Sequence, residues 1–533
     1  MSSGAVCPEG WDRKRSLTSL CLCSLDRLYV AGHISPDRSL VVGTSTPRWD
    51  GYPVSSALRA ESLDTLAARL QREHATCVNF WNTVSLRSGG RVTSSKRAPA
   101  REIFGWAMFD FANSAYTTVI VTVVYNVIFT QIIVGDGPEY RRGNWLWSLA
   151  LAGSYLLVVL TAPLLGSIMD YSAAKKRFLF VSCLLTVTAT AALYFVMPGD
   201  IALGMVLILL SSYGFSVGES FASAFLPELG PAEDLGKISG YAWGLGYFGG
   251  LASTAIVIFG LGDQTPGNFA NLRYAGPITG AFFFIAAIPT FLLLKERAVR
   301  RKLPKGETHI GVGLKRLMRT FRELGGFRDL MLFLLATFFA MAGLAIIVAF
   351  AFLYGDQVIG WDTNTQMAMF VVTQFTAAGG AVGFGMLQDR LGAIRTFNLT
   401  LVLWILTILA IYGCEAITSG LNGLIGTQWQ AQHVFLAVGC LAGSSLGATQ
   451  SASRAIVGLL SPSSKSGEFF GFWGVAGKLA ACVGLLGLGA LQALVGLRTA
   501  ILLCSAFFAL SLFTTLFVNE RRGRERAVAY SAE

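Results

Sequence analysis

The sequence predicts an all-α membrane protein, with twelve transmembrane helices in two pseudo-symmetric six-helix bundles. Three observations carry this expectation. Of 533 residues, 53% are hydrophobic and only 14% charged, against about 25% charged in an average soluble protein, so a water-soluble globule would lack the charge to cover its surface. The apolar residues gather in long runs with few charges, as membrane-crossing helices of roughly 20 residues require. Three short motifs also recur in the same helix order in the two halves of the chain. Soluble enzymes, nucleic-acid binders and disulfide scaffolds are poor readings of such a chain.

Residues 1–100 are rich in Ser, Arg and Gly and hold no long apolar run. Their acids, Glu9, Asp12, Asp26 and Asp37, count against a transit peptide. Leu63, Leu66 and Leu70, behind Ser62 as an N-cap, spell one short amphipathic helix in a tail otherwise read as disordered. Spanning helices follow at 104–134, 145–169, 178–197, 201–226, 238–261 and 277–294. The first is longer than a span needs, so it tilts or begins at the interface. A basic linker, 295–329, separates these from spans at 330–353, 367–387, 396–413, 434–460, 469–494 and 500–518. The bundles therefore occupy 101–294 and 330–518, and a basic tail, 519–533, ends the chain.

The net charge of +11 is distributed by topology. With the tail in the cytoplasm, the inside loops collect Lys175, Lys176, Arg177, Lys237, Arg390, Arg395, Lys465, the linker cations and Arg521, Arg522, Arg524 and Arg526. The outside loops hold only Arg141, Arg142, Arg273 and Arg498. This is the positive-inside pattern, with both termini cytoplasmic.

The halves repeat. Gly166 and Asp170 end the second span; Gly385, Asp389 and Arg390 end the eighth. Gly214 and Gly218 in the fourth span match Gly443 and Gly447 in the tenth, and Gly240 and Gly244 in the fifth match Gly471 and Gly474 in the eleventh. Trp243 and Trp473 fall at matched positions, where packing is the plain reading. Small residues at this spacing let helices approach closely and slide.

Four ionisable residues lie inside spans: Asp110, Glu219, Arg454 and Lys478. Each costs about 2.5–3.5 kcal/mol at a membrane centre, which makes it a functional candidate. The two acids belong to the first half and the two bases to the second, all towards the linker side. Two readings stand. The charges join the halves as a gate, which protonation of an acid would loosen and so couple to a proton gradient, or they pair within a bundle to satisfy one another. Asn113 and Tyr116 share a helix face and, with Tyr213, Gln374 and Gln450, are candidates to bind a small solute; such groups also serve as bonds between helices. Nothing points to a cofactor or an enzyme. The formal GxGxxG from Gly244 to Gly249 lies inside an apolar span. The nine cysteines lack metal spacing, and His33, His74, His309 and His433 are dispersed.

Two six-helix halves, a basic central linker and a Gly-xxx-Asp turn after the second helix of each half resemble the major facilitator superfamily. Its turn reads G-x-x-x-D-x-x-G followed by basic residues. The second copy matches with Gly385, Asp389, Arg390, Gly392 and Arg395; the first departs at Tyr171 and Ala173 but keeps Lys175, Lys176 and Arg177. Residues 106–116 (WAMFDFANSAY), 221–229 (FASAFLPEL) and 239–242 (SGYA) are similar to signatures of the autophagy-linked vacuolar amino-acid effluxers and their bacterial relatives. The resemblance implies a secondary transporter exporting amino acids, typically leucine and other neutral ones, by alternating access, and the chain is expected to work as a monomer in the lipid bilayer. It places helices one, four, seven and ten around the cavity, and the protein in a vacuolar membrane or, for a bacterial chain, the plasma membrane. It also supports Asp170 and Asp389 capping the N-termini of facing helices near residues 469 and 238. A sugar or drug as cargo, and a transport-inactive sensor or scaffold on the same fold, remain open alternatives.

Overall fold

In a computed structural model, the described residues are 97–135, 141–262, 264–297, 303, 306–426 and 428–532. The short helix expected at 62–72 lies outside them. Among the described residues, twelve helices are long and apolar enough to cross a membrane. Those of the first half are α1 (Ala100–Val134), α2 (Arg141–Ser172), α3 (Lys175–Phe195), α4 (Ile201–Leu229), α5 (Ala232–Leu261) and α6 (Pro266–Leu293). The second half holds α7 (Gly325–Ile359), α8 (Asn364–Leu391), α9 (Ala393–Tyr412), α10 (Ala431–Leu460), α11 (Ser463–Gln492) and α12 (Leu497–Thr515).

The packing repeats between the halves. Helix α1 packs on α5 and α6, as α7 packs on α11 and α12; α4 packs on α2 and α3, as α10 packs on α8 and α9; α3 meets α6 as α9 meets α12. The contacts joining the halves obey the same symmetry, α2 against α11 and α5 against α8. Glycine makes those contacts close. A Cβ at Gly166 would collide with the Gly467 carbonyl, one at Gly240 with the Ala381 carbonyl, and one at Gly385 would stand 2.5 Å from the Gly236 carbonyl oxygen. All three lie towards the linker end of their helices, so the linker face is closed.

The structure adjusts several boundaries and adds helices that hydropathy does not reveal. Helix α7 extends past the expected 330–353 at both ends. Helix α1 runs as an α-helix to Ala115, then loosens into π-helical turns over Tyr116–Val123 and Ile128–Val134; such widening is frequent at functional sites. The linker contains an amphipathic helix, His309–Glu323, and the basic tail forms the helix Glu520–Ala532. A further helix, Cys414–Ile425, follows α9. The terminal helix is fastened by Arg522, whose guanidinium donates twice to Asp329 at 2.7 Å, and by Tyr530, whose ring meets Phe327 edge-on.

Candidate functional site

The central feature is Arg454 on α10, 1% exposed. Its guanidinium donates to the Asp110 carboxylate on α1 at 2.6 Å, to Ser239 Oγ on α5 at 3.1 Å and to the Ser239 carbonyl at 3.0 Å. It also lies 4.7 Å from the Trp106 ring centroid and 5.3 Å from that of Trp243. A guanidinium suits this place, because its planar fork serves several acceptors while its face stacks on aromatic rings. The pair crosses from one half to the other. Buried ion pairs owe little net stability to their charges, but removing one partner strands the other at a cost of about 3–5 kcal/mol.

Around Arg454 a stripe on α5 continues the junction. Ser239 Oγ donates to the Ser451 carbonyl at 2.8 Å, and Tyr247 donates to Gln450. Ser239, Trp243 and Tyr247 follow at four-residue steps, hence on one helix face. Hydrogen bonds between the halves thus run from the linker face to the middle of α5 and α10.

Glu219 on α4 and Lys478 on α11 behave differently. Both are half-buried, and they interact electrostatically, with Asp110 and Arg454 also within the field of Glu219. Neither forms an ion pair within 4.0 Å among the described residues. The Lys478 ammonium instead faces the rings of Tyr155 on α2, 5.3 Å away, and Phe215 on α4, 5.5 Å away. An acid and a base from opposite halves therefore face a common region without neutralising each other directly.

The uncharged candidates are more dispersed. Tyr116 is fully buried and bonds Ser211 on α4 at 2.9 Å; Tyr213 bonds Thr161 on α2 at 2.8 Å. Both sit at helix junctions of the first half. Asn113 is buried, and its Oδ1 has no partner among the described residues. The Gln374 amide lies beside Gly250, at the meeting of α8 and α5.

At the linker face the two turns occupy equivalent positions. Asp170 accepts from the Gly467 and Glu468 amides at the start of α11, both at 3.0 Å. Asp389 accepts from the Lys237 amide at 3.3 Å and lies 3.4 Å from the Lys237 ammonium at the start of α5. Arg390 is exposed and forms no ion pair among the described residues. Sequence reasoning did not single out Ser239 as an Arg454 partner, and it read Lys175 only as a loop cation at the basic end of the turn, where the structure buries it. The Lys175 ammonium holds Glu228 at 2.5 Å and Ser466 at 2.7 Å, tying α3 to α4 and α11. The signal for Ser239 was faint: a small hydroxyl four residues before Trp243.

Comparisons with known proteins place the chain, by sequence and fold, in a family. The model of the family described as "Vacuole effluxer Atg22 like" matches residues 147–236 and 231–528. The uncharacterized MFS-type transporter YxiO of Bacillus subtilis (strain 168) is 27% identical over 424 residues, covering 78% of this chain and 94% of that protein. Autophagy-related protein 22-1 of Aspergillus niger is 24% identical over 310 residues, 56% of this chain and 49% of that protein, so the match spans about half the fungal length. Among solved structures, the proton:xylose symporter XylE superposes with a TM-score of 0.61 at 14% identity, covering 81% of this chain and 98% of that one. The transporter FucP in its outward conformation does so at 0.59 and 13%, covering 78% and 98%. The fold is thus that of the major facilitator superfamily, and the chain belongs to the Atg22-like vacuole effluxer family as an integral membrane transporter of major facilitator type.

Proposed function

We propose that the protein carries a zwitterionic amino acid by alternating access, with Glu219 holding the ammonium group and Lys478 the carboxylate. The observation that carries this reading is the pair of opposite charges that face one region from opposite halves without touching. A zwitterion bridges such a gap, and its binding draws α4 and α11 together. Family membership supports transport, as the family description names an effluxer, while the cargo class rests on the two charges. The Asp110–Arg454 pair acts as the lock of the linker face. Opening that face separates the pair, and protonating Asp110 lowers the cost of separation, which is the route to proton coupling. In this reading the linker face is cytoplasmic, which the distribution of Lys and Arg supports.

Equilibrium binding to the purified full-length protein tests the site, with leucine, N-acetyl-leucine and leucinamide as ligands. Wild type should prefer leucine over both blocked forms by about tenfold or more, as desolvated charge-assisted contacts imply. Glu219→Gln should lose its discrimination against N-acetyl-leucine only, and Lys478→Gln its discrimination against leucinamide only. Equal loss for both ligands in both variants would rule out the assigned roles.

A further inference from the structure

The linker helix His309–Glu323 presents three faces. One packs on the protein. Val312, Gly313 and Thr320 are buried, the Gly313 carbonyl accepts from Ser167 of α2 at 3.1 Å, and Arg316 donates to the Ser464 carbonyl of α11 at 3.1 Å. A second face is apolar and largely open: Ile310 is 65% exposed, Leu314 51%, Met318 52% and Phe321 50%, the last meeting Phe472 of α11 edge-on along one side. These residues recur at steps of four, four and three, hence in one stripe. The third face is basic, with Lys315, Arg319 and Arg322 all exposed. Lys315 meets Glu307; Arg319 and Arg322 form no ion pair among the described residues.

The depth of this helix identifies what covers the stripe. Gly313 lies against Ile168 and Leu164, one to two turns before α2 ends at Ser172, which is about 6–12 Å at 1.5 Å per residue. With the polar boundary taken at the end of α2, that distance matches the headgroup–acyl layer, where amphipathic helices bury an apolar face about 5–10 Å deep. A basic flank beside an apolar stripe at that depth complements phosphate groups in the same plane.

We propose that this helix docks on the bilayer surface of the linker face and recognises anionic phospholipid headgroups through Lys315, Arg319 and Arg322. The same helix touches α2 through Ser167 and α11 through Ser464, and Thr320 accepts from Lys465 at 2.8 Å. A docked helix therefore straps the two halves together at the closed face.

Hydrogen–deuterium exchange of the full-length protein, one copy per lipid nanodisc, tests this. Discs of phosphatidylcholine are compared with discs containing one part phosphatidylglycerol to three of phosphatidylcholine. Residues 309–323 should exchange about tenfold or more slowly in the anionic discs, with residues 463–472 protected in parallel. The exposed-site variant Lys315→Gln/Arg319→Gln/Arg322→Gln should lose that difference. Leu314→Ser/Met318→Ser should raise exchange in both compositions, while the spanning helices report an intact fold. Equal exchange of the wild type in the two compositions would overturn the assignment, as would a difference that survives in the charge variant. So would equal protection in phosphatidylcholine discs supplied with inorganic phosphate, which would assign the basic flank to a soluble anion.

Discussion

Arg454 shows why a single side chain can hold two half-molecules together. It donates to Asp110 and twice to Ser239, so three hydrogen bonds join α10 to α1 and α5. Lysine keeps the charge but not the fork. Arg454→Lys should therefore lower transport by at least about tenfold, the worth of one charge-assisted bond of roughly 1.5–3 kcal/mol. Arg454→Gln, which strands Asp110, should destabilise the fold by about 3–5 kcal/mol. Adding Asp110→Asn should recover the stability, read as a melting temperature in detergent, without recovering transport. A second residue-scale expectation concerns Ala173, a non-glycine residue at φ 49° where the second copy of the turn has Gly392 at φ 95°. An L-residue pays about 1–2 kcal/mol there, so Ala173→Gly should raise the melting temperature. The four intramembrane charges were legible in the sequence because lipid makes each of them expensive. Their geometry was not: nothing local distinguishes the touching pair, Asp110 and Arg454, from Glu219 and Lys478, which do not touch. The neighbour of Tyr171 was equally hidden. Where the superfamily turn has a cation, Arg316 from the linker helix lies 5.9 Å over the tyrosine ring, a contact set by tertiary structure.

The contacts of α2 with α11 and of α5 with α8 depend on backbone approaching backbone. Valine at Gly166 or Gly385 would push its carbonyl neighbour aside, since the Cβ alone already crowds it. Gly385→Val should therefore favour opening of the linker face and slow turnover more than it weakens leucine binding. A turnover assay beside equilibrium binding separates the two effects; weakened binding at unchanged turnover would argue against a role in rocking. The glycines were readable in sequence because they recur in both halves. The linker and terminal helices were not. Their charges hide them from any hydropathy window, and the stripe Ile310, Leu314, Met318 and Phe321 has no meaning until α2 and the membrane plane stand beside it. The π-helical widening of α1 after Ala115 was also invisible, as no Pro or Gly occurs between Tyr116 and Val134.

At the scale of the molecule, the repeat of pairwise packing makes two states natural. Each half packs internally by the same helix pairs, and the joints α2–α11 and α5–α8 are equivalent, so one half can rock on the other without breaking either core. Here the linker face is shut by Asp170 at α11, Asp389 at α5 and Arg454 at Asp110. A zwitterion between Glu219 and Lys478 would be the load that travels as the joints exchange. Counterflow in proteoliposomes tests this most directly, with vesicles loaded with unlabelled leucine and labelled leucine outside. Transient uptake of label is expected in wild type and is expected to vanish in Glu219→Gln and Lys478→Gln. The absence of counterflow for every neutral amino acid in folded wild-type protein, or undiminished counterflow in both variants, would contradict it.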